Sequence, residues 1–289
     1  MSAAPAPHPV TRAALWMTGA LLSFTAMAVA ARELSAELST FQILLFRSLI
    51  GLVVISLLIQ WKNPALFSTP QFGWHAWRNL AHFGGQYGWF YGIAFIPLAE
   101  VFAIEFTVPV WTALCATAVL GERLTRSRAA TIALGLLGVV VILRPGLALV
   151  HPAALAVLAG AMAYGVAHTL TKKLAARDSP MTILFYMTLL QLPLGLIPAA
   201  IDWTTPAAAL WPHLAAVGLT GLTAHYCMTR ALALADATVV VPMDFLRLPL
   251  VALLGLALYG ERLEWPLFAG AGLILAGILL SLRAERTRR

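Results

Sequence analysis

The chain contains an internal duplication, which is marked by a tetrapeptide that occurs twice. Gly-Glu-Arg-Leu stands at residues 121–124 and again at residues 260–263, 139 positions later in a chain of 289 residues. An acid and then a proline precede each copy, and these residues are Glu105, Pro109, Asp244 and Pro249. A glycine-containing apolar run follows each copy. A repeat of this length predicts two similar structural units within one chain.

The composition places both units in a membrane. Hydrophobic residues make up 61% of the chain and charged residues 11%, against roughly 45–50% and about 25% in soluble domains. The net charge of +7 does not indicate a nucleic-acid partner, because the basic residues lie between apolar runs, where anionic lipid headgroups bind them. Cys115 and Cys227 lie inside apolar runs without metal-ligand spacing, so we predict no disulfide framework, metal or cofactor.

Ten apolar runs are long enough to cross a bilayer, which takes about 20 residues of helix. They comprise residues 12–31, 39–60, 75–95, 98–120, 126–143, 152–171, 180–201, 212–233, 237–258 and 264–282. Most connections between them are only a few residues long and leave no room for a soluble domain. The sequence therefore predicts an all-α polytopic membrane protein with ten transmembrane helices.

The basic residues of the loops predict the orientation, because Lys and Arg are enriched in cytoplasmic loops. With a cytoplasmic N-terminus, twelve of them lie inside and three outside. The inner ones are Arg12, Lys62, Arg123, Arg126, Arg128, Lys172, Lys173, Arg177, Arg283, Arg286, Arg288 and Arg289, and the outer ones are Arg32, Arg144 and Arg262. Both termini are therefore predicted to be cytoplasmic.

The first apolar run has an alternative interpretation. Arg12, the apolar stretch and Ala28-Val29-Ala30 together resemble a secretory signal peptide. The basic region is thin, however, and the apolar stretch is long for a signal peptide. Because Ala13-Ala14-Leu15 recurs as Ala153-Ala154-Leu155 before a similar run, we predict that the first run is a retained span.

The duplicated block falls on spans 4–5 and 9–10, so each repeat contains five spans, over residues 12–143 and 152–282. Since five is odd, equivalent helices of the two repeats cross the membrane in opposite directions. Many secondary transporters have such inverted repeats, with a substrate site near the midplane. A duplication that only stabilises the protein is the alternative.

Span 3 carries a polar stripe. Arg78, His82, Gln86 and Trp89 are spaced by four, four and three residues, which places them on one helical face. Ionisable groups inside a membrane usually face the bundle interior or a cavity. Hydrogen bonds between helices are the alternative for this stripe, and Arg78 is close enough to the predicted cytoplasmic end to snorkel.

Other spans supply further candidates for a substrate cavity. They are Phe24 in span 1, Tyr87 in span 3, Tyr164 and His168 in span 6, and His225 in span 8, which aligns with Gln86 at the offset of 139. An apolar wall with a few polar anchors suits a small amphipathic solute. For the aromatic residues, ordinary packing or an interfacial belt is the alternative.

Two intramembrane acids align between the repeats at the offset of 139. Asp244 has Arg247 three residues later, a spacing that permits an ion pair on one helix. Glu105 has no basic residue on its own turn, so its partner could be Arg47 of span 2 or a histidine, or it could be protonated. A protonated acid would suit proton coupling, whereas a paired acid could simply lock helices together.

The prolines and the tetrapeptide have structural interpretations. Pro109 and Pro249 occupy equivalent places and predict either flexible points or static kinks. The glycine at the start of residues 121–124 can end a helix, the glutamate can begin the next turn, and the arginine can meet headgroups. These features predict no chemistry for the tetrapeptide.

The order of these motifs resembles a known family. Pro109 followed by residues 121–125 and a glycine-rich span, repeated with Pro249 and residues 260–263, resembles the EamA domain of the drug/metabolite transporter superfamily. Arg47 of span 2 matches an arginine that is common at this position in the family. The equivalent position of the second repeat, in span 7, holds Tyr186. The resemblance implies a ten-helix carrier with a central cavity and an export role, and the chain is similar to the YddG-type amino-acid exporters.

These observations predict a secondary transporter of the inner membrane that exports a small metabolite, above all an amino acid with an aromatic or hydrophobic side chain, by alternating access. Its partners would be that solute, membrane lipids and, as one option, protons, and one chain would suffice. Predicted substrate contacts are Phe24, His82, Gln86, Tyr87, Glu105, Tyr164, His168 and His225. Predicted structural or coupling residues are Arg47, Asp244, Arg247, Pro109 and Pro249.

Three alternatives stay open at this point. A multidrug or other metabolite exporter of the same fold differs only in its substrate. A passive channel would need a continuous polar pore. A membrane-embedded enzyme is disfavoured, because neither His-Glu-x-x-His nor Gly-x-Ser-x-Gly occurs in the chain.

Overall fold

The computed structural model describes residues 9–96, 98–143, 151–247, 250–251, 253–254, 257 and 265–287, and the regular elements within these ranges are helices. The α-helices are α1 (Pro9–Leu34), α2 (Thr40–Lys62), α3 (Phe72–Phe95), α4 (Leu98–Glu105), α5 (Val108–Leu120), α6 (Arg126–Leu143), α7 (Pro152–Leu174), α8 (Pro180–Ala199), α9 (Trp211–Leu234), α10 (Ala237–Val240) and α11 (Trp265–Thr287). Three 3₁₀ helices cover Pro64–Phe67, Ala208–Leu210 and Val241–Leu246.

The regular elements of the described residues are all helical, so the all-α class is confirmed. Four helices, α1, α2, α7 and α8, are both long and apolar enough to cross a membrane by length and composition. The count of ten spans and the location of the termini stay predictions. Pro249 and the second Gly-Glu-Arg-Leu at 260–263 lie outside the described residues.

Equivalent caps begin the second helix of each repeat. The Ser39 hydroxyl accepts a hydrogen bond from the Gln42 backbone N–H at 3.3 Å, and the Gln42 side chain accepts from the Ser39 N–H at 3.4 Å. At the start of α8 the Ser179 hydroxyl accepts from the Thr182 N–H at 3.1 Å. Each cap satisfies backbone donors that the first turn of a helix leaves unpaired.

The predicted span 98–120 is not one helix, which corrects the sequence prediction. It divides into α4 and α5, with a turn at Phe106 and Thr107 between them. Pro109 accounts for the break, because a proline ring clashes with the carbonyl group four residues earlier, here that of Glu105. In the second repeat a 3₁₀ turn, Val241–Leu246, contains the equivalent acid, Asp244. Discontinuous helices at the substrate site are common in transporters.

The helices pair in a symmetric pattern. Contacts are most extensive between α1 and α9, α3 and α7, α6 and α11, and α2 and α8. In the predicted inverted repeats, span 1 (α1) is equivalent to span 6 (α7), and span 3 (α3) is equivalent to span 8 (α9). The contact of α1 with α9 is therefore equivalent to the contact of α7 with α3. Glycines allow the close approach of α3 and α7, since Gly88 of α3 faces Gly160 of α7.

A candidate substrate cavity between the two repeats

A cavity lies between helices of both repeats. It is lined by Phe24, Met27, Gln86, Trp89, Glu105, Phe106, Val108, Pro109, Tyr164, His168, His225, Met228, Val241, Asp244 and Arg247. Most of this lining is aromatic or aliphatic, and the polar groups are few. Such a composition is typical of a small-molecule site in a protein.

The cavity brings together most of the predicted substrate contacts. Phe24, Gln86, Glu105, Tyr164, His168 and His225 are part of its lining. His82 lies directly behind that lining, with its ring centroid 5.6 Å from that of Tyr164 and 4.5 Å from that of His225. His225 also packs edge-on against Phe24, with the centroids 5.1 Å apart. The histidines and the tyrosine therefore form one aromatic cluster.

Tyr87, like His82, is a predicted contact that is not part of the cavity lining, and it packs elsewhere. Its ring stacks on Phe41 at 4.7 Å and on Tyr91 at 5.7 Å. The reason is helical geometry, because consecutive residues of a helix do not share a face. With Gln86 facing the cavity, its neighbour Tyr87 faces away from it.

One side of the cavity carries an ion-paired triad of Glu105, Asp244 and Arg247. Nη2 of Arg247 lies 2.6 Å from Oε1 of Glu105 and 2.8 Å from Oδ2 of Asp244. The ion pair predicted within the second repeat is thus present, and the same arginine is also the partner of Glu105. Neither Arg47 nor a histidine takes that role.

Further contacts hold this triad in place. Nε1 of Trp89 donates a hydrogen bond to Oε2 of Glu105 at 2.7 Å. The Arg247 guanidinium lies 5.4 Å from the ring centroid of Phe24 and 5.3 Å from that of Phe102, within the range of cation–π attraction. Oδ1 of Asp244 is buried and has no hydrogen-bond partner. A buried acceptor of this kind is costly unless a donor reaches it, so it is available to a bound solute.

Two buried arginines, Arg47 and Arg78, belong to a polar network that reaches the cavity lining at Gln86. The hydrogen bonds of Gln86 are satisfied in the amide orientation that directs its oxygen toward Arg47. The oxygen then accepts from Nη1 and Nη2 of Arg47, at 2.6 and 3.1 Å, and the nitrogen donates to Oε1 of Gln191 at 3.0 Å. Nε2 of Gln191 in turn contacts Nδ1 of His82 at 2.9 Å and donates to Oδ1 of Asn79 at 3.1 Å.

Arg78 belongs to this network and does not snorkel to the surface, which corrects the sequence interpretation. Its side chain is buried, with 1% of the residue exposed. Nη1 donates to Oδ1 of Asn79 at 2.8 Å and Nε donates to Oγ1 of Thr171 at 3.0 Å. Asn79 and Gln191 were not singled out from the sequence. The available signal was that each is an amide side chain within a predicted membrane span.

The first tetrapeptide has a role that sequence reasoning missed. The glycine does end α5, with Gly121 in the left-handed conformation at φ 68°. Glu122, however, caps α10 of the other repeat. Its Oε1 accepts from the Ala237 N–H at 2.9 Å, and its Oε2 accepts from the N–H and hydroxyl of Thr238 at 3.1 and 2.7 Å. A carboxylate at a helix N-terminus is stabilising.

Arg128 completes this contact between the repeats. Its Nη2 lies 2.6 Å from Oδ2 of Asp236, and its Nη1 donates to Oγ1 of Thr238 at 2.8 Å. We refer to Glu122, Arg128, Asp236 and Thr238 as the clamp. All four lie at the predicted cytoplasmic ends of their spans, and the clamp ties the connection between α5 and α6 to the start of α10.

Replacing Glu122 by alanine should lower the melting temperature of the detergent-solubilised protein. The change removes a charged acceptor from two backbone donors and one hydroxyl, which predicts a loss of about 1–3 kcal/mol in the free energy of unfolding. Thermal unfolding of the purified variant measures it. Glu37→Ala is the matched control, because Glu37 is exposed. Equal melting temperatures for the two variants would show that the clamp contributes nothing.

Comparison with known proteins gives a consistent picture. Residues 11–144 and 151–283 each match the EamA-like transporter family. The chain is 31% identical over 296 residues to a riboflavin transporter of Rhizobium johnstonii, covering 98% of this chain and 94% of the relative.

Two other relatives have different solutes in their names. The chain is 24% identical over 271 residues to an S-adenosylmethionine uptake transporter of Rickettsia bellii, covering 94% of this chain and 93% of the relative. It is 28% identical over 276 residues to the pseudopaline exporter CntI of Pseudomonas aeruginosa, covering 92% and 94%. With two matching segments and apolar helices throughout, the chain is a multi-pass inner-membrane protein and belongs to the EamA-like transporter family of the drug/metabolite transporter superfamily.

Proposed function

We propose that this protein moves a small amphipathic metabolite across the inner membrane by alternating access, with an amino acid as the first candidate and export as the direction. The observation that carries the proposal is the cavity between the repeats, with its aromatic lining and its triad of Glu105, Asp244 and Arg247. Membership of a transporter family supports the general activity. The solute and the direction are our inference.

The cavity offers complementary groups for an amino acid. An ammonium needs buried acceptors, and Oδ1 of Asp244 is one without a hydrogen-bond partner. Phe24, Trp89 and Phe106 offer apolar and π surface for a hydrophobic or aromatic side chain. A carboxylate would need donors, and Gln86 and His225 are polar residues of the lining that could supply them. A zwitterion would therefore span the cavity from the triad to the polar network.

Alternating access is supported by the position of the helix breaks. The turn at Phe106 and Thr107 and the 3₁₀ turn Val241–Leu246 both border the cavity, through Phe106, Val241 and Asp244. Short helices that meet at a turn can reorient more easily than a continuous helix. The clamp is a further contact that would have to break if the ends of α5 and α10 separate during transport.

A flat heteroaromatic solute is the second candidate. It is favoured by the riboflavin transporter at 31% identity and by the S-adenosylmethionine transporter, which both match almost the whole chain. The aromatic cluster around Phe24, Tyr164 and His225 would suit such a ring system. Competition between L-phenylalanine and riboflavin in one flux assay separates the two candidates, and a bulky cationic dye in the same assay tests for a multidrug exporter.

Counterflow in proteoliposomes tests the proposal. Vesicles preloaded with unlabelled L-phenylalanine should accumulate the labelled amino acid faster than empty vesicles, which also distinguishes a carrier from a passive channel. Repeating the assay with and without a pH gradient tests whether protons are coupled. If neither amino acids, riboflavin nor S-adenosylmethionine gives counterflow, the proposed transport is wrong.

Asp244→Asn should reduce phenylalanine counterflow by about tenfold or more, since a charged hydrogen bond contributes about 1.5–3 kcal/mol. Asp202→Asn is the matched control, because Asp202 is exposed and lies outside the cavity lining. Melting temperatures of both variants verify that they are folded. Counterflow equal to that of the wild type in Asp244→Asn would remove Asp244 from the binding site.

A further inference from the structure

Two buried guanidinium groups next to the cavity have no acidic partner. Arg47 and Arg78 are 3% and 1% exposed. Within the described ranges, no carboxylate lies at ion-pair distance from either group, because Glu105 and Asp244 both contact Arg247. An unpaired charge within a membrane is costly and usually marks a functional site.

The two arginines differ in what their donors contact. Arg78 donates to the neutral side chains of Thr171 and Asn79, on the side of the network away from the cavity. Arg47 directs Nη1 and Nη2 at the oxygen of Gln86, which lines the cavity, and its Nε is buried without a hydrogen-bond partner. Of these two arginines, Arg47 is therefore the one with a buried donor, Nε, that has no partner among the described residues.

Helix α9 and Gln86 pack against the Arg47 guanidinium. Helix α9 approaches it through Gly221, where an added Cβ would lie 2.6 Å from Nε of Arg47, so a larger residue would displace the guanidinium. The Gln86 oxygen accepts from both Nη atoms, and a carboxylate in its place could accept from the same two donors with one oxygen each. Gln86 has a flexible side chain and could rotate away, which would open Arg47 to the cavity.

We propose that Arg47 is the anion-binding residue of this transporter, and that the carboxylate of the solute displaces the Gln86 oxygen from its guanidinium. This inference rests on the proposed function and narrows it to solutes that carry a carboxylate. The other end of the solute would lie toward Asp244 and Glu105. Neutral flavins and cationic drugs without a carboxylate would lack the group that Arg47 selects.

A pair of matched probes tests the inference without a transport assay. Phenylacetate and phenylacetamide share the ring and differ in the charge of the polar group. At equal ionic strength, phenylacetate should raise the melting temperature of the detergent-solubilised wild type at lower concentration than phenylacetamide. The expected difference is about tenfold or more in half-saturating concentration. Equal responses to the two probes, or no response to either, would overturn the inference.

Two substitutions test whether Arg47 is responsible for the preference for phenylacetate over phenylacetamide. Arg47→Gln should remove it. Gln86→Glu should also remove it while leaving the arginine in place, because the new carboxylate would occupy the guanidinium permanently, and this variant should fold even if Arg47→Gln does not. Arg230→Gln is the control, since Arg230 packs over Trp16 and lies outside the cavity lining. A preference that survives in Gln86→Glu would place the anion elsewhere.

The outcomes for this inference and for the proposed function are separable. An anion preference that survives in Arg47→Gln, with normal phenylalanine counterflow, would disprove the role of Arg47 and leave transport standing. A clear anion preference in a protein that shows no counterflow would disprove the proposed transport and leave the anion site standing.

Discussion

Arg247→Gln should be the most damaging single substitution in this protein. It leaves Glu105 and Asp244 buried without their cation, and breaking a buried ion pair by removing one partner costs about 3–5 kcal/mol. We expect a large fall in the melting temperature in detergent, together with loss of counterflow. Arg230→Gln, on helix α9, should change the melting temperature little, because Arg230 packs over the ring of Trp16 and forms no ion pair with the described residues.

A neutralised triad separates stability from function at this site. The combination of Glu105→Gln, Asp244→Asn and Arg247→Gln removes all three charges, so most of the lost stability should return, since replacing every member of a buried ion pair is often close to neutral. Counterflow should stay absent. If Arg247→Gln alone melts like the wild type, the two carboxylates are not charged partners of this arginine.

Gly88→Ala should have the second-largest effect. A Cβ at residue 88 would overlap the carbonyl oxygen of Ala156 and crowd Gly160, both on α7. Overlap with backbone cannot be relieved by a rotamer change, so α3 and α7 would have to separate. Overpacking of this kind costs about 1–3 kcal/mol and occasionally more. The variant should melt at lower temperature and give less folded protein in the membrane.

The same helix offers a matched control for this substitution. Gly84 lies one turn earlier on α3, is exposed, and has no atom within 4 Å of an added Cβ. Gly84→Ala should therefore be neutral or slightly stabilising, since alanine is the better helix former by about 1 kcal/mol. A Gly84→Ala protein as unstable as Gly88→Ala would show that the helix interior, and not the contact with α7, is responsible.

Local periodicity predicted part of the candidate site well. The spacing of His82, Gln86 and Trp89 places them on one face of a helix, and in the structure Gln86 and Trp89 line the cavity with His82 directly behind. The same rule places Tyr87, the residue after Gln86, on another face of the helix.

Contacts between distant parts of the chain could not be predicted in this way. Glu105 had three candidate states in the sequence, and its observed partner, Arg247, belongs to the other repeat. Glu122 also contacts the other repeat, because the N–H groups that it accepts from belong to residues 237 and 238. The doubled tetrapeptide marked Glu122 as unusual without indicating what it would contact.

The sequence by itself determined the class of protein. Its apolar composition required a membrane, its doubled motif required two similar repeats, and the order of those motifs led to the family that the comparisons show. These features are properties of composition and of residues close together in the chain. Only the tertiary structure decided that Pro109 divides a span beside Glu105, that Arg247 joins the two acids, and that Arg47 has no acidic partner among the residues the structure describes. Those outcomes depend on which helix faces meet, and packing between the repeats decides that.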